Sequence, residues 1–290
     1  MKRITLTALA AAACAIGLQA APAFADAGSL RAKHAELRDE LRSNNYGRAM
    51  YIDSTQGSNT LQGDVYAVLD HPFQKVSEAL REPGQWCEVM ILPFNTKYCH
   101  AMGPSSVQVR IGRKADQPVE QAYRIDFSFR NVAAASDYFD ARLNAGQGPF
   151  GTKNYRIDLE AIPLESGKTF MHMTYSYGYG TLGRMAMQGY LATAGASKVG
   201  FSQARDESGR TGLVTGVRGA VERNAMRYYL AIDSYLDSLD APREQQAEKR
   251  IQSWFSATER YPRQLHEMDR ATYVAMKRQE VERQQTASLQ

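Results

Sequence analysis

The chain has 290 residues, 43% of them hydrophobic and 23% charged, with a formal net charge of +4. That balance is ordinary for a globular protein and excludes collagen-like, low-complexity and disordered classes. A charge so near neutrality gives no argument for nucleic-acid binding, and basic residues do not cluster with aromatics anywhere along the chain.

The first residues read as a secretory signal. Met1-Lys2-Arg3 supplies a positive start, Ile4 to Leu18 is an apolar, alanine-rich run, and Ala23-Phe24-Ala25 is the small-x-small pattern that a signal peptidase cuts. The run falls short of the roughly 20 residues needed to cross a bilayer, and Gln19 and Pro22 interrupt it. Residues 1–25 are therefore expected to be removed after Ala25, leaving a periplasmic or secreted protein. Cys14 lacks the leucine three residues earlier that a lipidation site carries. Cys87 and Cys99 remain, and in an oxidising compartment the pair is expected to form a structural disulfide. The spacing is not C-x-x-C and no histidines stand in ligand register, so neither a redox nor a metal pair is expected. Closing so short a loop stabilises by about 3 kcal/mol in the chain-entropy model.

Residues 26–45 carry an N-terminal helix, because Leu30, His34, Leu37 and Leu41 fall on one stripe with charged residues between them. Arg48 to Asp53 and Leu61 to Leu69 then read as strands on either side of a Gln56-Gly57-Ser58-Asn59 turn. His71-Pro72 opens a helix with Phe73, Val76 and Leu80 on its buried face, and Pro83-Gly84 stops it. Trp86 to Leu92 reads as a second short helical segment.

From Lys97 to Tyr179 the period is two. Val107, Val109 and Ile111 alternate with Gln108 and Arg110. Tyr123, Ile125, Phe127 and Phe129 alternate with Arg124, Asp126 and Ser128, and Tyr155, Ile157 and Leu159 with Arg156, Asp158 and Glu160. In Lys168 to Tyr179 one face carries Met171, Met173, Tyr175, Tyr177 and Tyr179, and the other Phe170, His172, Thr174 and Ser176. Short turn-rich connections make these strands antiparallel. Thr181 to Thr193 reads as a helix, and Leu213 to Leu239 as the longest one, with Val214, Val217, Val221, Tyr228, Ile232, Tyr235 and Leu239 on one stripe. Asp240-Ala241-Pro242 closes a main domain of residues 46–240. The extension 241–290 is charged and helical, broken at Tyr261-Pro262, with Trp254, Phe255, Leu265, Tyr273 and Met276 to bury against the domain. Its last residues, Gln284 to Gln290, are expected to fray.

The fold class predicted is α+β. A curved antiparallel sheet wraps on the long helix, with extra helices at both ends, because the strand faces and the helix stripe each need an apolar partner.

Catalytic signals are sparse. Gly178-Tyr179-Gly180-Thr181-Leu182-Gly183 matches a dinucleotide fingerprint literally, but its strand alternates instead of reading as the apolar run of a parallel strand. The glycines are read as easing a strand-to-helix bend, and no cofactor is expected. The five histidines show no close ligand pair, so no metal is expected, and no G-x-S-x-G is present. Arg218, Arg223 and Arg227 are read as a solvated face of the long helix. What stands out is 16 Tyr and 11 Met gathered on the inner strand faces and the long helix. Those residue types suit an adaptable apolar cavity and a packed core alike.

The order of elements carries a resemblance. A strand runs into His71-Pro72-Phe73, and a helix ends at Pro83-Gly84-Gln85-Trp86-Cys87. Antiparallel strands follow, then a long helix holding Arg227-Tyr228-Tyr229-Leu230-Ala231-Ile232. Over Leu61 to Leu239 this resembles the START-like, helix-grip superfamily of polyketide-cyclase and lipid-transport-like proteins. The resemblance implies a cavity between sheet and last helix for a lipid or another apolar molecule, and transfers no catalytic residue. The N-terminal helix, residues 181–208 and the helical extension depart from the minimal pattern.

The expected function is an exported, non-enzymatic binder or carrier of a hydrophobic small molecule. Its lining is drawn from one strand phase: Tyr123, Phe127, Phe129, Tyr155, Ile157, Met171, Met173, Tyr175 and Tyr177. Arg124, Asp126, Arg156, Asp158 and Glu160 should face solvent. The alternatives are a cyclase- or hydrolase-type enzyme in the same cavity and an interaction protein whose helical tail meets a protein partner.

Overall fold

The computed structural model describes residues 27–193, 195–205 and 209–287, so the expected signal segment and the last three residues lie outside it. The N-terminal stripe is split at Leu37 into α1 (Ala27–Glu36) and α2 (Arg38–Arg42), which bury Leu30, Leu37 and Leu41. Strands β1 (Met50–Gln56) and β2 (Thr60–Leu69) form the expected hairpin, and α3 (Phe73–Ala79) follows. Pro83 and Gly84 do more than end α3. They open α4 (Pro83–Met90), where the Gln85 side chain accepts the Glu82 backbone N–H at 2.8 Å in a reciprocal capping box.

Six more strands complete the sheet: β3 (Thr96–Ala101), β4 (Ser106–Ile111), β5 (Tyr123–Ala134), β6 (Phe139–Gln147), β7 (Thr152–Pro163) and β8 (Thr169–Tyr179). All neighbours are antiparallel, in the order β1-β2-β8-β7-β6-β5-β4-β3. The sequence reading does not resolve β6, whose inner face is Phe139, Ala141, Leu143 and Ala145. The alternation there shows only once alanines count as core. A disulfide between Cys87 and Cys99, with Cα atoms 5.2 Å apart, ties α4 to β3.

After β8 come α5 (Thr181–Ala192), a hairpin of β9 (Gln203–Arg205) and β10 (Thr211–Leu213), and α6 (Gly216–Ser238). The tail is α7 (Arg243–Thr258), the single turn α8 (Pro262–Leu265) and α9 (Arg270–Ala287). Among the described residues no helix is long and apolar enough to cross a membrane. The fold class is α+β in a helix-grip arrangement, with α6 laid across the sheet and helices added at both ends.

Helix α6 is enclosed on both sides. Val221, Ala225 and Ile232 belong to the core shared with the sheet, and α7 covers the opposite side, where the Trp254 indole N–H donates to the Arg227 carbonyl at 3.0 Å. Gly63 of β2 allows the close approach, since a Cβ there would meet Ala225 Cβ and the Val221 carbonyl at 3.2 Å. Polar residues on so buried a helix require partners. Glu222 accepts from Ser54 Oγ at 2.6 Å, Phe201 N at 2.6 Å and Ser202 N at 2.9 Å, and Asp233 pairs with Arg48.

The extension packs on the domain through a wholly buried polar knot. Lys97 and Lys277 both reach Glu280, at 3.0 and 2.7 Å, and Lys277 also donates to the Pro93 and Thr96 carbonyls. The Tyr273 hydroxyl donates to the Leu92 carbonyl at 2.9 Å while its ring stacks on Trp254. Against the fraying that the sequence suggests from Gln284 to Gln290, α9 continues to Ala287 with Gln284 buried, and residues 288–290 lie outside the described residues.

On the outer sheet face Arg124, Asp126 and Arg156 are exposed as expected, but Asp158 is buried and Glu160 half-buried. The reason is that this face is covered. Helix α1 lies over β7, and Asp158 sits between Arg142 and Thr174 of the adjoining strands while pairing with Arg156. Beside it His172 stacks on Tyr66 at 4.2 Å and bridges Asp64 (2.9 Å) and Glu160 (3.3 Å). Burial opposes its charge, but the two carboxylates outweigh burial and raise the imidazole above its ordinary value. The same bonds hold Asp64 and Glu160 below theirs against burial.

Two outcomes follow from these contacts. Ile232→Asp places a charge in the core beneath α6 and should abolish the cooperative melting transition. The raised imidazole stabilises the fold below its unfolded value of about 6.5 and loses that contribution as pH rises through its folded value. The lowered carboxylates stabilise above about 4 to 4.5 and lose it as pH falls through theirs. The loss in melting temperature caused by His172→Gln should therefore be largest between about pH 4.5 and 6.5 and should shrink by pH 9. A loss that does not change with pH would contradict the linkage.

Candidate functional site

Where the sheet parts from α6 beneath α5 there is a cavity of about 810 Å³. One wall is apolar and aromatic: Ile125 and Phe127 from β5, Tyr155 from β7, Tyr175 and Tyr177 from β8, and Tyr228 from α6. The rings support one another, with Tyr155 stacked on Tyr177 at 5.3 Å and Tyr175 against Tyr228 at 5.4 Å. Tyr155 donates its hydroxyl to Thr152 Oγ1 at 2.9 Å. Burial raises all four phenols above their ordinary value, so they stay neutral at physiological pH and can orient a polar group by hydrogen bonding.

The opposite end is charged. Lys114, in the loop after β4, donates to Glu267 at 2.7 Å, and Arg227 of α6 reaches the same oxygen at 2.6 Å. Lys198 lies 3.2 Å from it. Burial, seconded by Arg227 and Lys198, lowers Lys114 to about 8 although Glu267 opposes the shift. Burial pushes Glu267 upward, but the three cations hold its carboxyl below the ordinary range. Arg223 donates to the Tyr190 hydroxyl at 3.3 Å, which joins this end to α5.

The cover is thin. Of α5 only Gly183 is buried, while Leu182 and Met185 are exposed. Phe150 stands at the rim, 68% exposed and with a left-handed backbone (φ 56°) that side-chain-bearing residues adopt at a cost. A Cβ on Gly183 would meet Tyr179 Cβ at 3.1 Å and the Phe150 carbonyl at 3.3 Å. That contact accounts for the last glycine of the fingerprint-like run, whose strand β8 is antiparallel to both neighbours.

Four of the expected lining residues come together here: Phe127, Tyr155, Tyr175 and Tyr177. Phe129, Ile157, Met171 and Met173 share their face but belong to the buried core outside the cavity, since α6 closes on β2 at Gly63, opposite Tyr175 in the register. Tyr123, at the first residue of β5, is 43% exposed and lies outside the cavity. The solvated face expected for Arg223 and Arg227 is wrong. Both are buried, Arg227 beneath α7 and the segment around Glu267 and Arg223 against Val199 and Tyr190, whereas Arg218 is half-buried on Ser54. Local sequence pattern does not mark Lys114, Lys198, Tyr190, Tyr228 or Glu267 as site residues, although the structure brings them to this site. One available signal was that α6 carries Met226, Tyr229 and Leu230 away from its main stripe, the mark of a helix covered on both sides.

Among the described residues one further group, His71, Asp233 and Asp237, offers three metal-ligand atoms within 4.8 Å of one another. Arg48 already neutralises Asp233, and none of the three lines the cavity.

No protein-family model matches the sequence, and no curated protein matches it. Solved structures give faint likenesses. Ara h 8.0201 is 8% identical with a TM-score of 0.37, covering 62% of this chain and 99% of its own. Human StAR-related lipid transfer protein 5 is 11% identical at 0.31, covering 57% and 89%. Norcoclaurine synthase from Thalictrum flavum is 12% identical at 0.31, covering 46% and 81%. At these scores the likenesses say nothing of function, and the fold rests on the strand order and helix placement described above.

Enlarging two residues separates cavity from core. Met173→Trp should destabilise by about 1–3 kcal/mol, as overpacking does, whereas Ala186→Trp should leave the melting temperature nearly unchanged and weaken binding of an apolar fluorescent probe. Equal destabilisation by both, with no probe bound, would show that the space is packed core.

Proposed function

We propose that the protein is an exported binder or carrier of a hydrophobic small molecule, a lipid, held between the sheet and α6. The observation that carries this reading is the cavity of about 810 Å³ with its aromatic wall. Its size lies within the range of small-molecule sites, and each Å² of apolar surface buried there contributes about 25 cal/mol. Export is supported by the leader-like first 25 residues and by the Cys87–Cys99 disulfide, a bond that persists in oxidising compartments. Trp254, Phe255 and Tyr273 of the tail are buried against the domain and are not offered to a protein partner.

One observation favours a second reading, an enzyme in the same cavity. Lys114 at about 8 beside Glu267 is an amine that can exchange a proton near neutrality. Native mass spectrometry of protein purified from its own cell envelope tests both readings. A carrier should yield one apolar ligand per chain, recovered unchanged on long incubation. Conversion of that ligand, lost in Lys114→Met, would favour the enzyme, and a consistently empty chain would overturn the carrier.

A further inference from the structure

Among the described residues, the polar end of the cavity holds more positive charge than its one carboxylate balances. Glu267 Oε1 serves Lys114, Lys198 and Arg227 together. Arg223, one turn before Arg227 on α6, bonds neutral acceptors, the Val199 carbonyl at 3.2 Å and the Tyr190 hydroxyl at 3.3 Å. The Arg227 side chain is 6% exposed, and among the described residues its Nε has no partner. Arg113 adds a further cation at the rim, and among the described residues Glu267 is the one acidic residue lining the space. Cations collected in a desolvated site are costly unless anions face them. Guanidinium groups bind carboxylates and phosphates by paired hydrogen bonds, stronger than bonds between neutral groups.

We propose that the ligand is an amphipathic oxyanion, its carboxylate or phosphate head set among Arg223, Arg227 and Lys114 and its apolar body against the aromatic wall. The proposal rests on the carrier reading and narrows it to one ligand class. The two ends of the cavity are chemically distinct, so the ligand has one orientation. The head enters toward Glu267, and the tail lies along Phe127, Tyr177 and Tyr228. A bound head shares the cations that now converge on Glu267, which makes that carboxylate an internal competitor of the ligand.

Competition against an apolar fluorescent probe tests this, using dodecanoic acid, dodecyl phosphate, dodecanol and dodecylamine at pH 7, with inorganic phosphate as a head lacking a tail. The acid or the phosphate ester should displace the probe at about tenfold lower concentration than the alcohol, as charge-assisted hydrogen bonds require, and the amine should be weakest. Whichever of the two anions binds identifies the head, and inorganic phosphate alone should not displace the probe. Glu267→Gln should tighten the acid and leave the alcohol unchanged, an effect that a merely structural Glu267 would not give. Lys114→Met, at a partly exposed site, should weaken the acid alone, and serves if Glu267→Gln fails to fold. Lys114 faces Glu267, Arg227, Lys198 and the Tyr190 ring. As pH rises through about 8 it loses its proton, so affinity for the acid should fall while that for the alcohol holds. An alcohol or amine that binds as tightly as the acid overturns the anionic head and leaves an apolar carrier standing. Displacement by inorganic phosphate alone overturns the need for a tail. Failure of the probe and the whole series to bind overturns both readings.

Discussion

Everything in this molecule depends on the enclosure of α6. A helix laid on a sheet ordinarily keeps one face in water, yet here α7 covers the second face and leaves few residues of α6 exposed. Each polar side chain on it must then find a partner inside the protein. Glu222 finds Ser54 and the 201–202 backbone, Asp233 finds Arg48, and Arg227 finds Glu267. These bonds position the segments around the helix as firmly as apolar packing does, because leaving any one unmade would strand a buried charge.

The cavity is the region where that enclosure is incomplete. At Gly63 the helix touches the sheet, and the core from Met171 and Met173 onward is filled. Past Tyr175 the two surfaces separate, and α5 spans the opening with Gly183 as its one buried residue. A cover anchored by so little buried surface belongs to the low-stability end of the structure, where ligand-gating elements are found. The closely packed half fixes the geometry of the aromatic wall, and the loosely covered half gives access to it.

Much of the architecture was legible because alternation and helical stripes report burial directly. Tyr155 with Ile157, or Phe127 with Phe129, shares a phase that puts both on the inner face, and the structure agrees. Phase cannot tell wall from core, since it says nothing of how far away the opposing helix stands. Met173 and Tyr177 therefore read alike, although one is filled core and the other faces open space. The polar end was illegible for a different reason. Lys114, Lys198, Arg227 and Glu267 come from four separate segments, and only long-range packing brings them together. Arg227 reads as solvent-facing because a cover supplied by a distant tail leaves little local trace, and Arg223 because its cover comes from the non-periodic segment around Val199 and from Tyr190.

The buried knot of Lys97, Lys277 and Glu280 bears on the order in which the molecule can be completed. Two of its three members lie on α9. Until that helix arrives, the Pro93 and Thr96 carbonyls have no lysine to receive, and Lys97, at the second residue of β3, keeps its hydration. The turn between α4 and β3 is therefore sealed only once α9 has docked. A shortened chain would retain the sheet sequence and both cysteines while lacking the residues that let β3 seat its lysine in the interior. Seating of the β3 lysine in the interior thus depends on the docking of α9.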